Sequence, residues 1–272
     1  MTDLVVHPAA APAADGTFLD VTPASAGWTY VGFEVLRLAP GVVAHRDTRD
    51  REVCIVVVSG TATVNSERGE FSDLGGRPDP WSGPPDAAYL PPGTPFQIAS
   101  ADEAEVALCW APAPDGGAGA RVLRGDQIEV ETRGYGSQER TVLPILMADQ
   151  EADSLLVVEV LTPGGNWSSY PPHKHDQDNP PTETFLEETY YHRVTPAQGF
   201  GLQRVYSQDR SLDETLTFGD RDCVLVPRGY HTVSAPPGYD VYYLNVMAGP
   251  KRQWAFVNDP DHEWRAAPSP AT

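Results

Sequence analysis

Positive charge is scarce in this 272-residue chain. It has 19 Lys plus Arg against 38 Asp plus Glu, a formal net charge of −19 at pH 7. Nucleic acid and anionic membrane surfaces both demand clustered Lys and Arg, so neither is an expected partner. Long hydrophobic runs are missing too: stretches such as Cys54–Val58 fall far short of the ~20 residues that cross a bilayer. Residues Met1–His7 carry neither a basic segment nor an apolar one long enough for a secretion signal. There are only three cysteines, Cys54, Cys109 and Cys223, widely spaced and odd in number. That excludes a disulfide framework and zinc-finger spacing, and points to a reducing cytoplasm. Helical periodicity is almost absent.

Turn residues, in contrast, are abundant. Proline and glycine number 27 and 24, and they punctuate the chain instead of forming one tract. Between them lie short apolar runs: Glu52–Val58, Ala87–Leu90, Glu105–Trp110, Leu155–Leu161, Asp222–Val226 and Val241–Val246. Such spacing predicts an all-β sandwich or barrel. The chain also repeats itself. Tyr89-Leu-Pro-Pro-Gly-Thr-Pro95 aligns with Leu225-Val-Pro-Arg-Gly-Tyr-His231, and the same offset places Glu52 on Glu188. Two tandem β-domains follow, at 17–120 and 121–264, joined at the Gly- and Ala-rich stretch 113–120. Residues 1–16 read as a loose N-terminal segment and 265–272 as a flexible tail.

The densest chemistry lies in Tyr170-Pro-Pro-His-Lys-His-Asp176. His173 and His175 are two residues apart, so on a strand both project from one face and can reach one metal ion. Glu183, Glu187 and Glu188 precede the strand-like Tyr190–Val194, and His231 follows a tight turn. Two or three His with one carboxylate leave open positions on a divalent ion, as a catalytic site requires.

A Pro-Gly pair, His-x-His, a later Glu and then Pro-x-Gly-x-His resemble the two motifs of cupins, small jelly-roll barrels. More specifically, the chain resembles the 5-deoxy-glucuronate isomerases of bacterial inositol catabolism. Tyr170–Asp176, Leu186–Val194, Gly199–Tyr206, Ser211–Thr215, Val226–His231, Tyr242–Pro250 and Asn258–Trp264 carry the likeness, with Arg133-Gly134 and Arg140 before them. The resemblance implies a bicupin that holds one divalent ion per chain, zinc or manganese first, iron or nickel next. It implies His173, His175, Glu188 and His231 as ligands, with Glu188 preferred to Glu187, which strand alternation would point the other way. His45 and Glu52 persist in the N-terminal repeat, but Asp47 and Pro95 replace two His, so that half is expected to bind no metal.

The implied reaction converts 5-deoxy-D-glucuronate to 5-dehydro-2-deoxy-D-gluconate, a proton shift between adjacent carbons through an enediolate. It needs a Lewis acid for the developing charge and a general base for the carbon proton. Glu183, Glu187, Asp176 and Glu214 are candidates for the base, and His192 shares strand parity with Glu188 and so would line the same cavity. For the carboxylate of a small anionic sugar acid, Lys174, Arg193, Arg204 and Arg228 are nearest in sequence. Lys174 and Arg193 alternate away from the ligands, which leaves Arg204 favoured. A cupin dioxygenase and a non-catalytic sugar-acid-binding cupin are the alternative readings. Exposed sheet edges would also suit a homo-oligomer.

Overall fold

A computed structural model describes residues 3–266. Each apolar run named above is a strand or lies within one, from Arg51–Ser66 to Asp240–Ala248, save that Leu155 and Asp222 stand one residue before theirs. Helix is confined, among the described residues, to Pro23–Ala26 and three single 3-10 turns.

The strands form two barrels in tandem, the all-β bicupin architecture. In the first, Thr17–Val21, Gly32–Leu38, Ala104–Pro112, Arg51–Ser66, Ala87–Leu90 and Arg121–Leu123 pair in that order. Arg51–Ser66 then bends to pair with Gly69–Arg77 and Pro95–Ala99 on the opposite wall. The bend falls at Gly60, whose φ is +79° and whose absent Cβ would lie 2.3 Å from the Glu103 carbonyl oxygen. Only glycine fits there. In the second barrel a seven-stranded sheet, including Glu187–Thr195, Asp240–Ala248 and Leu156–Thr162, faces a five-stranded one. The latter contains Gly201–Tyr206, Tyr230–Ser234 and Trp167–Lys174.

Strand parity explains why these runs are apolar without alternation. Val53, Ile55 and Val57 fill the first barrel, while Cys54, Val56 and Val58 join the core shared with the second. A strand buried on both faces reads as a continuous hydrophobic run. Each such side chain contributes about 1.5–3 kcal/mol on full burial, so the barrels are held by one apolar interface. The first barrel's interior is filled by Leu36, Ile55, Leu90, Phe96 and their apolar neighbours.

Two expected boundaries shift. Of the expected loose segment 1–16, residues 1–2 lie outside the described residues and the rest is not free: Val5 and Val6 pair with Val224 and Cys223 of the second barrel, and Leu4 is buried. Arg121–Leu123 continues the first barrel's sheet through Ala87–Leu90, so that domain ends after the expected linker. Of the expected tail, Arg265 closes a 3-10 turn, and 267–272 lie outside the described residues.

Candidate metal centre

Three histidines converge inside the second barrel. His173 ends the strand Trp167–Lys174, His175 follows it directly, and His231 lies opposite His173 on Tyr230–Ser234. All three are buried, and one ligand nitrogen from each lies within 4.8 Å of the others. Glu188 enters from the facing sheet and completes the group. Its Oε2 is 2.9 Å from His175 Nε2 and 3.0 Å from His231 Nε2.

The surroundings fix each ligand's orientation. Nδ1–H of His175 donates to the Leu186 carbonyl at 3.0 Å, and that of His231 to the Gly229 carbonyl at 3.1 Å. Both Nε2 atoms therefore face the Glu188 carboxylate, where a proton or a metal ion would bridge each pair. The other carboxylate oxygen, Oε1, accepts from Asn245 Nδ2 at 2.6 Å. His231 Nε2 is buried without a hydrogen-bond partner, as expected of an atom shaped for coordination. Electrostatics agree. Burial pushes Glu188 up, but His231 and His175 outweigh it and hold the carboxyl well below its usual range. Burial and the two neighbouring imidazoles hold His173 neutral, well below its ordinary value. Burial opposes protonation of His175, yet Glu188 raises it. Three imidazoles and one anionic carboxylate fit a divalent ion that keeps open coordination positions.

An ion pair behind the ligands ties their supports together. Lys174 faces away from the histidines, as alternation requires, yet it is buried instead of reaching solvent. Its Nζ donates to Asp176 at 2.6 Å and to Glu183 at 2.8 Å. Asp176 also accepts from the backbone N–H of Gly229 at 2.9 Å. The segment carrying His175 is thus bound to the turn that presents His231.

Of the expected catalytic groups, only His192 lies on the ligand-bearing inner face. It is stacked on Phe218 at 3.5 Å and bonded to Gln203 at 2.9 Å, walled off from the metal cavity. Glu187 points outward, where its carboxylate accepts the backbone N–H groups of Thr29, Tyr30 and Val31 at 2.7, 2.6 and 3.0 Å. Glu183 is occupied by Lys174 and by the N–H groups of Asp176 and Gln177. Arg204 is on the barrel's outer surface, paired with Asp213 at 2.9 Å. Glu214 borders a separate surface cleft with Trp28 and Arg228. Arg193 bridges Glu105 and Asp220. None of these carboxylates and guanidiniums lines the cavity that holds His173 and Glu188.

That cavity, about 60 Å³, is lined beside His173 and Glu188 by Arg133, Arg140, Ser169, Tyr190, Tyr243 and Trp254. The phenol oxygens of Tyr190 and Tyr243 lie 3.2 and 3.3 Å from Ser169 Oγ. Burial raises both phenols, keeping them protonated donors. Tyr190 and Tyr243 belong to the tyrosine-rich C-terminal half of the sequence, where cavity-wall residues were expected; sequence proximity to His173 missed Asn245, although cross-strand register could have found it, because Tyr190 opposes Asn245.

The N-terminal equivalents are different. His45 is exposed on the outer wall, and Glu52 is buried but turned toward the second barrel. Its carboxylate accepts from Asp153, Ser154 and Leu155 N–H at 2.8, 2.6 and 2.7 Å.

Comparison with known proteins agrees with this architecture. Solved oxalate decarboxylases of Lactobacillus farciminis and Bacillus subtilis superpose with TM-scores of 0.63 and 0.64 at 14% and 15% identity, a likeness of cupin fold alone. A crystal structure of an IolB-like protein from Salmonella typhimurium superposes with a TM-score of 0.93 at 44% identity, covering 96% of this chain and 98% of that one. A protein of Geobacillus kaustophilus named 5-deoxy-glucuronate isomerase is 51% identical, over 97% of this chain and 95% of its own length. One of the same name from Bacillus subtilis is 49% identical over 90% and 91%. The family model described as KduI/IolB matches residues 5–265, and the chain belongs to that family.

Proposed function

We propose that this enzyme is a divalent-metal-dependent aldose–ketose isomerase that converts 5-deoxy-D-glucuronate to 5-dehydro-2-deoxy-D-gluconate. The observation that carries the reading is the convergence of His173, His175, His231 and Glu188 on one cavity. Relatives at about half identity over nearly the full length bear the isomerase name. These four residues would hold one divalent ion, zinc or manganese by donor set, which would supply Lewis-acid stabilisation of the enediolate's negative charge.

The chain's own residues do the rest. Asn245 and the Leu186 and Gly229 carbonyls hold the ligands in one orientation. The neutral phenols of Tyr190 and Tyr243 offer hydrogen bonds to sugar hydroxyls within the cavity. The barrel wall excludes bulk water, which strengthens every polar contact inside. The first barrel acts as a metal-free scaffold. The test is metal analysis of the purified protein together with turnover of 5-deoxy-glucuronate under nitrogen. About one ion per chain, with ketose formed anaerobically and lost on chelation, is the expected result. A bound metal without anaerobic product would overturn the isomerase and favour oxygen-dependent chemistry.

A further inference from the structure

Arg140 opens the strand Arg140–Leu146 and stands directly opposite Arg133 in its antiparallel pairing with Glu131–Arg133. Like charges at opposed positions repel, and in a chain with twice as many acids as bases each guanidinium should find a carboxylate. Arg133 does: its Nε donates to Glu131 at 2.7 Å, and it lies over the Trp254 ring at 5.5 Å. Arg140 does not. Among the described residues it makes no salt bridge, and Nη1 donates only to the Gln138 carbonyl at 3.1 Å. Burial pulls its pKa down, with Tyr243 opposing that shift and Arg133 reinforcing it.

The position is closely built. Gly134, with φ +83°, lies in the loop between the two strands, and a Cβ there would sit 2.7 Å from Arg140 Nη1 and 2.2 Å from the Gln138 oxygen. Both arginines line the cavity that contains His173 and Glu188. Arg133, Pro144, Met147 and Trp254 also line a neighbouring cleft of about 570 Å³, so the two spaces share a wall. A partly buried, unpaired guanidinium inside a metal cavity is a receptor for an anion that arrives from outside.

We propose that Arg140, assisted by Arg133, binds the carboxylate of the sugar-acid substrate and so directs the aldehyde end toward the histidine cluster. The orientation rests on the isomerase reading above. Recognition of a carboxylate by Arg140 does not. The receptor replaces Arg204, whose guanidinium is committed to Asp213 on the outer surface.

The experiment compares wild type with Arg140→Met on 5-deoxy-glucuronate, on its neutral analogue bearing a primary alcohol in place of the carboxylate, and on the C1-reduced acid, which cannot isomerise. Wild type should prefer the acid in kcat/KM, and the variant should lose about 100-fold on the acid. The loss should fall mainly in KM, with little change on the neutral analogue. Calorimetry should show the C1-reduced acid binding wild type and not the variant, at equal metal content. Should Arg140→Met not fold, Arg140→Gln carries the same comparison. An equal loss on acid and neutral substrates, or an unchanged preference for the acid, overturns the receptor while leaving the isomerase standing. No turnover by wild type, with Arg140-dependent binding of the reduced acid, overturns the isomerase and supports the receptor.

Discussion

Glu52 and Glu187 are reciprocal: each reaches out of its own barrel and caps three consecutive backbone N–H groups at the entry to a strand of the other. Glu52 takes Asp153, Ser154 and Leu155, which lead into Leu156–Thr162. Glu187 takes Thr29, Tyr30 and Val31, which lead into Gly32–Leu38. The two are therefore the equivalent positions of the repeat. Val53, paired with Leu90, then matches Glu188, paired with Val226. Pairing Glu52 with Glu188, as the sequence repeat suggests, is off by one residue, and one residue reverses the face of a strand. The buried, apolar Val53 thus leaves the first barrel without a carboxylate donor at the position that Glu188 occupies in the second.

Breaking either clasp should cost stability without touching the metal. In Glu52→Gln or Glu187→Gln, an amide NH2 meets backbone N–H donors and one acceptor is lost. An unsatisfied buried polar group costs about 1–3 kcal/mol. Denaturant unfolding should register that loss in each variant, with metal content at the wild-type level. Metal loss in Glu187→Gln would mean that the ligand assignment is wrong.

Glu188→Gln and His231→Ala should behave in the opposite way. Each removes a donor from the cluster, so bound metal and turnover should both fall to near background, read by metal analysis and rate. His45→Ala should change neither, because His45 is exposed on the first barrel's outer wall. Retained activity in His231→Ala would sink the centre.

How much of this was legible in the chain divides along physical lines. Strand positions were, because runs such as Glu52–Val58 are buried on both faces and so carry no ambiguity of period. The clustering of His173, His175 and His231 was, because His-x-His and Pro-x-Gly-x-His place side chains through local geometry. The partners of charged groups were not. Lys174, Glu183 and Arg204 each sit near the ligands in sequence, yet their contacts are set by loop 176–183 and by the neighbouring strand. Arg140 and Asn245 reach the cavity from remote segments, through a fold that sequence spacing does not encode.

Lys174→Met should be among the most damaging single changes. It leaves the buried Glu183 and the half-buried Asp176 without their cation, a loss of up to about 3–5 kcal/mol. Burial opposes the Lys174 charge, but Asp176 and Glu183 raise its pKa above the ordinary 10.5. Its stabilisation is therefore full below about pH 10.5 and fades only as pH rises through the folded value. Unfolding at pH 7 should show the whole deficit, together with weaker metal retention because the supports of His175 and His231 come apart. A variant as stable as wild type would mean that the triad contributes nothing net.

His192 sets a pH dependence of its own. Burial, only partly offset by Gln203, takes the imidazole from its ordinary 6.5 to about 3. Between these values the unfolded chain carries a proton there that the folded chain refuses. Stability must therefore fall as pH drops below about 6.5, by up to about 1.4 kcal/mol per pH unit. In His192→Gln that component vanishes while the histidine cluster is left intact. The gap between wild type and variant should accordingly narrow as pH is lowered from 7 to 5, measured by denaturant midpoints on the chelated proteins. Parallel curves would show that His192 takes up a proton in the folded barrel, and the stacked, neutral ring against Phe218 would be the wrong description.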